Sequence, residues 1–421
     1  MTTSEIITIG DELLIGQVLN TNVAWIAQQL SALGINIIRD VTVGDDENEI
    51  LRTLKECYSE CDVVVVTGGL GPTKDDITKG CACKLFNCGL TFNEEAFQNV
   101  VNRFKNLGYE ITESNRMQAM VPDKCIPLQN HNGTAPGMLF KENVDGKTKI
   151  MVFLPGVPLE MKGLIEDYVL DILKDTYQNN GLYYRTVLTQ GKGESFIAEI
   201  IKDWEASLPE NVKLAYLPQY GSVRLRLTAY GSDLEKNKAI VNKELEKLVR
   251  LIPEWIYGYD DDTIEHAVGV LLKKDNLTIA TAESCTGGNI AHHLTLVPGS
   301  SDYFKGSIVA YSEKIKNDVL GVRKETISKY GVVSKETAEE MSQCARKLMN
   351  TDVAIATTGY AGPGGGDETS QVGTVWISVA GRNFVTSEEF HFGTNREINI
   401  KRTTYNAMKM VYNCLRDKKL Q

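Results

Sequence analysis

Along the chain, short apolar runs rich in β-branched residues alternate with stretches whose apolar positions recur at helical spacing. Residues 6–9, 35–43 and 62–67 predict strands, and 22–33 and 49–58 predict the helices between them. The first of those helices carries Trp25, Ile26 and Leu30 on one face. The run Val63-Val64-Val65-Val66 has no polar alternation, as expected of a parallel strand buried on both faces. A glycine loop follows it, then a helix predicted from about Asp75. Helical turns are expected from after Thr91 through Phe104, and a strand at 150–154. Pro155-Gly156-Val157-Pro158 then leads into a helix with Glu160 and Met161. Alternation of this kind predicts a doubly wound α/β domain, which binds ligands outside the carboxyl ends of its strands.

The pattern changes near residue 170. Residues 184–189 and 223–228 alternate like strands and 195–206 and 234–252 like helices, a small α+β unit. Residues 253–262, with three consecutive aspartates, read as a linker. From Thr263 the α/β pattern returns. A helix to Lys273 precedes the strand 276–280, and another helix follows at 289–296. Then come a strand at 306–311, a helical turn with Lys314 and Lys316, and a helix at 337–349. Strands at 352–358, 373–379 and 385–392 precede a closing helix that starts near Asn395-Arg396.

Composition narrows the function classes. A chain of 421 residues is long enough for two or three domains, each with its own core. With 45 basic against 55 acidic residues, its net charge of −10 argues against a broad nucleic-acid surface and suits small-molecule chemistry. No apolar run approaches the roughly 18 residues of a membrane span. The first five residues lack the basic and apolar regions of a signal peptide, so a cytoplasmic protein is expected. The nine cysteines are scattered without C-x-x-C pairs. They read as reduced thiols in preference to a zinc site, which needs four placed ligands.

Candidate chemistry gathers in three loops at predicted strand ends. Gly10-Asp11-Glu12 follows the first strand. Gly68-Gly69-Leu70-Gly71-Pro72-Thr73-Lys74-Asp75-Asp76-Ile77-Thr78 follows the third. Glycines let backbone amides approach phosphate, and Thr73 and Thr78 add hydroxyls. Carboxylates at Asp11, Glu12, Asp75 and Asp76 would repel a phosphate unless a divalent cation intervened, so metal-assisted binding is expected. The bland alternative is that Asp75 and Asp76 favour the start of the next helix. In the third loop, Thr281-Ala282-Glu283-Ser284-Cys285-Thr286-Gly287-Gly288 joins a strand to a helix, where unpaired amides offer an oxyanion site. Ser284 and Cys285 are rival nucleophiles, and a lysine of the next strand's end, Lys314 or Lys316, is the candidate base. Thr67 to Pro72 and Thr358 to Pro363 share the pattern T-G-x-x-G-P, each ending a β-branched strand.

These motifs, in this order, resemble the CinA (competence/damage-inducible protein A) family almost end to end. The resemblance rests on Gly10 to Leu14, Asn20-Thr21-Asn22, Thr67 to Asp76, Thr281 to Gly288, Tyr311-Ser312, Lys316, Gly331 to Ser334 and Thr358 to Pro363. It implies two three-layer α/β/α domains joined by a small α+β KH-type domain. They are a molybdopterin-binding-like domain at 1–169, the KH-type domain at 170–255 and a nicotinamide-nucleotide amidase domain at 256–421. It further implies deamidation of nicotinamide mononucleotide with Ser284 as nucleophile, Lys316 as base and Tyr311 assisting. Thr286, Gly287, Gly288, Thr358, Gly359 and Arg396 would contact substrate, with no cofactor. In the first domain, ADP-ribose pyrophosphatase activity would use Gly68, Gly69, Gly71, Thr73 and Thr78 for the ligand. Asp11, Glu12, Asp75 and Asp76 would hold a divalent metal of Mg or Co type. A homodimer acting on these nucleotides, without nucleic acid or membrane, is the expectation. The alternative is a non-enzymatic nucleotide-sensing or partner-binding protein linked to DNA uptake. One departure stands out: Ser370-Gln371 precede Val372-Gly373-Thr374-Val375, where the family often has Lys-Pro.

Overall fold

The computed structural model describes the chain apart from residues 1, 74–75, 108–110, 178–180, 220, 367–369 and 421. It separates into two compact units, Met1–Tyr184 with Thr228–Val241, and Arg185–Leu227 with Asn242–Gln421.

In the first unit, β1 (Thr3–Ile9), β2 (Asn36–Val43), β3 (Val63–Thr67), β4 (Leu90–Phe92), β5 (Met120–Pro122), β6 (Ile126–Leu128), β7 (Gly137–Val144) and β8 (Lys147–Leu154) form two sheets. The main sheet runs β2-β1-β3-β8-β7-β6, and β4 pairs with β5 alone. The β2, β1, β3 and β8 strands are parallel. The valine run explains the layering. Val63 and Val65 pack with Ile6, Ile26 and Leu30 on one face, and Val64 and Val66 with Ile7, Leu54 and Phe153 on the other. Successive strand residues point to opposite faces, so a strand with both faces covered must be apolar throughout. Burying each valine contributes about 1.5–3 kcal/mol.

Two expectations change here. The helix after the glycine loop is Thr78–Leu85, starting later than Asp75. Asp76 is spent on the loop instead, accepting from the Gly71 and Thr73 amides at 2.8 Å each and from the Thr73 hydroxyl. β7, antiparallel to β8, was not predicted. Its buried run Gly137 to Phe140 gives way at once to exposed Lys141 and Glu142, too short an apolar signal to read.

The middle region holds β9 (Tyr183–Gln190), β10 (Val212–Gln219), β11 (Ser222–Ala229) and β12 (Ile256–Tyr259), in the order β10-β11-β9-β12. With the helices Glu194–Ala206 and Leu234–Leu251 it is an α+β unit. The predicted linker thus contains a strand, antiparallel to β9 with Ile256 opposite Thr189. Its aspartates serve turns: Asp260 accepts from the Thr186 amide at 2.9 Å and Asp262 from the Tyr259 amide at 3.0 Å.

The last region carries β13 (Ile279–Glu283), β14 (Phe304–Val309), β15 (Val353–Gly359), β16 (Thr374–Ala380) and β17 (Val385–His391), ordered β14-β13-β15-β16-β17. β13 is parallel to both neighbours, and β16 and β17 are antiparallel. Ile279 and Ile355 face Val268, Leu294 and Val411. Ala282, Ala354 and Ala356 face Leu320, Ile327 and Met341 on the other side. This is again a three-layer α/β/α arrangement. The chain leaves β13 with β14 on one side and β15 on the other, so the carboxyl end of β13 is a topological switch point. Among the described residues no helix is long and apolar enough to cross a membrane. All nine cysteines are free.

Candidate functional site

Strand β13 delivers Ser284 to that switch point. The Ser284 amide donates to Thr357 O of β15 at 3.0 Å, and Gly287 N closes the turn onto Ser284 O at 3.1 Å. On the other side, β14 leads through Ala310 and Tyr311 to the helix Glu313–Asp318, capped by the Ser312 side chain on Ile315 N. That helix brings Lys316 inward. Its Nζ lies 2.9 Å from Ser284 Oγ, 2.8 Å from Ala310 O and 3.5 Å from Tyr311 O. Lys316 is only 2% exposed, and this burial lowers its amine to a pKa of about 8. Lys314, the rival, is exposed.

The arrangement has the connectivity of a base. A neutral amine keeps two N–H donors and one lone pair. The two carbonyls accept the donors, and the lone pair is left for the Ser284 hydroxyl proton. Cys285 differs: burial pushes its thiol up to about 12, so it stays protonated where a thiolate would be needed.

Ser284, Lys316, Tyr311, Thr358, Gly359 and Arg396 line one cavity of about 290 Å³. Thr358 is buried and its hydroxyl donates to Val332 O at 2.6 Å, tying down the loop that forms the opposite wall. Arg396, exposed at the start of the helix Arg396–Arg416, donates to the Tyr311 hydroxyl at 2.8 Å and to Gly362 O at 3.0 Å. The Tyr311 hydroxyl therefore meets Arg396, while only its carbonyl approaches Lys316.

Thr286, Gly287 and Gly288 do not line the cavity. The Thr286 hydroxyl shares a hydrogen bond with that of Thr357 at 2.8 Å. The helix-start amides are also not free. The fully buried Glu283 carboxylate accepts from Gly288 N and Ile290 N at 3.0 Å and from Ala291 N at 2.8 Å. The helix N-terminus thus holds an anion supplied by the chain itself. This residue was missed in the sequence. Its signal was an acidic side chain closing an otherwise apolar strand, immediately before the serine.

A separate cavity of about 520 Å³ opens at the carboxyl ends of β1 and β3. Gly68, Gly69, Gly71, Glu12 and Asp76 line it, joined by Glu160 of the helix after Pro158 and by Asp45 and Gln118, which sequence reasoning had not singled out. Asp11, Thr73 and Thr78 lie off its lining. The Asp11 carboxylate accepts from Asp45 N at 3.3 Å, and the Thr78 side chain is buried. Asp75 lies outside the described residues. Among those described, no three His, Cys, Asp or Glu side chains are grouped to hold a metal ion. The described carboxylates therefore do not by themselves fit a divalent metal.

Comparison with known proteins covers nearly the whole chain. Residues 5–175 match the probable molybdopterin binding domain, 184–258 the damage-inducible protein CinA KH domain and 261–415 the CinA C-terminal domain. A CinA-like protein of Cytophaga hutchinsonii is 44% identical over 416 residues, 99% of both chains. One of Flavobacterium psychrophilum is 47% identical over 410 residues, 97% of both. One of Chloroherpeton thalassium is 42% identical, covering 97% of this chain and 98% of its own. With all three domain models in order and such identity over nearly its full length, the chain belongs to the CinA family of competence/damage-inducible proteins.

Proposed function

We propose that the protein is a hydrolase that deamidates nicotinamide mononucleotide. The observation that supports this most is the buried Lys316 amine 2.9 Å from the Ser284 hydroxyl. Lys316, neutral above a pKa of about 8, takes the hydroxyl proton as Ser284 Oγ attacks the carboxamide carbon. The proton passes to the departing nitrogen, which leaves as ammonia. Water then cleaves the acyl-serine to the nicotinate nucleotide. The Cys285 amide, at the cavity and not taken by Glu283, is the proposed oxyanion donor. Arg396, held at the cavity rim by Tyr311, is the proposed phosphate contact.

The second part of the proposal is cleavage of ADP-ribose to nucleoside monophosphate and ribose phosphate in the first domain. The glycine loop lining its cavity supports it. A divalent-metal requirement is part of this reading on the sequence grouping of Asp11, Glu12, Asp75 and Asp76 at strand ends. Both reactions belong to pyridine-nucleotide recycling in the cytoplasm by a homodimer. The test is to incubate the purified protein with nicotinamide mononucleotide, and separately with ADP-ribose, with and without Mg²⁺ or Co²⁺. Ammonia from the first and AMP from the second are expected. No ammonia from active-folded protein overturns the amidase.

A further inference from the structure

A third cavity belongs to neither site. It measures about 690 Å³ and shares no lining residue with the serine cavity. Arg224 and Ser222 of β11, Tyr257 of β12, Asp262 and Glu265 beyond it, and Tyr405 of the closing helix are among its walls. These elements are fastened together. The Gln190 side chain donates to Asn413 at 2.9 Å, Arg416 to Glu254 O at 2.9 Å, and Gly221 sits against the Tyr405 ring. The cavity is therefore built into the second compact unit, and its size is that of sites for ligands larger than a single ring.

Its polar groups are unevenly satisfied. Asp262 is engaged by His266 at 3.1 Å and by the Tyr259 amide. Glu265 is engaged by His293 at 3.3 Å. Arg224 differs: the residue is half-buried, and its Nε is buried and unbonded among the described residues. The Tyr405 hydroxyl is likewise buried, with Ser222 of the same cavity wall beside it. Burial raises both phenols, Tyr257 and Tyr405, so both are neutral donors. A buried guanidinium donor without an acceptor costs free energy that an anion would recover. Two phenol rings beside it offer faces for a planar group.

We propose that this cavity is a second small-molecule site, for an aromatic anion of the nucleoside monophosphate class. The phosphate meets Arg224, and the base lies against Tyr257 and Tyr405.

Calorimetric titration of the full chain with AMP tests it, because it counts binding equivalents whether or not either proposed reaction occurs. Arg224→Gln should lose one equivalent of AMP relative to wild type, while Arg396→Gln keeps it. Arg224→Lys should restore part of the affinity. Adenosine, lacking the phosphate, should bind this site at least tenfold more weakly. Should Arg224→Gln not fold, Tyr405→Phe keeps the ring, removes only the hydroxyl beside Ser222, and should weaken the same equivalent several-fold. An unchanged equivalent count and affinity in both Arg224→Gln and Tyr405→Phe, or no AMP binding beyond what Arg396→Gln abolishes, would overturn the proposal.

Discussion

The loops after β3 and β15 invite comparison, since each follows a buried strand with T-G-x-x-G-P. In both, the threonine hydroxyl donates to the carbonyl of a neighbouring loop, Thr67 to Pro155 O at 2.8 Å and Thr358 to Val332 O at 2.6 Å. In both, the glycine lies where backbone comes close. A Cβ on Gly68 would run into the Ile9 carbonyl, and one on Gly359 would lie 2.7 Å from Thr374 O. Around this shared frame the chemistry diverges. The first loop faces Glu12, Asp45, Asp76 and Glu160, whereas the second faces a buried lysine beside a serine. The loop is thus a way of ending a strand beside a cavity, and the neighbouring elements decide what that cavity does.

Substitutions can separate the two sites. Ser284→Ala should abolish ammonia release from nicotinamide mononucleotide and leave ADP-ribose cleavage unchanged, while Cys285→Ala retains most amidase activity. The reverse pattern in an ammonia assay would make Cys285 the nucleophile. Asp75→Asn and Asp76→Asn should each remove ADP-ribose cleavage, as should a chelator, with the amidase unaffected. Chelator-resistant cleavage, or full activity in both variants, would exclude the metal role.

Lys316→Met should lower amidase kcat/KM by about 10²- to 10⁴-fold, the worth of a positioned base. The pH profile gives the sign. Protonated below about 8, Lys316 cannot accept the serine proton, so kcat/KM should rise with pH through that value and level off above it. A wild-type profile flat between pH 6 and 9 would contradict the base assignment. The smallest effects concern the frame itself. Gly68→Ala combines a left-handed φ of 113° with the carbonyl clash and should cost about 2 kcal/mol or more in thermal or denaturant unfolding. Gly359→Ala, whose backbone is ordinary, should cost less; equal losses would mean that crowding alone sets the cost.

Much of this was legible in local pattern. The valine run and the segment Val353 to Thr357 are apolar because both faces of their strands are covered, and such runs betray themselves without any knowledge of the partners. The glycine loops at their ends follow from the same reading. The strand inside 253–262 was hidden because its hydrogen-bond partners lie on β9, more than sixty residues earlier, and its aspartates look like solvent-facing linker.

The sequence alone determined that the chain has two α/β regions, which strand ends carry glycine loops, and that a serine and a cysteine share one strand-to-helix turn. Only the tertiary structure sets their surroundings apart. The difference lies in burial, which raises the Cys285 thiol and depresses Lys316, and in a contact between Lys316 and Ser284, 32 residues apart in the chain. It also revealed that Glu283 fills the helix start, a pairing that local pattern cannot distinguish from an acid facing water. Desolvation and through-space contact belong to the packed core, and residue order specifies them only by way of the fold.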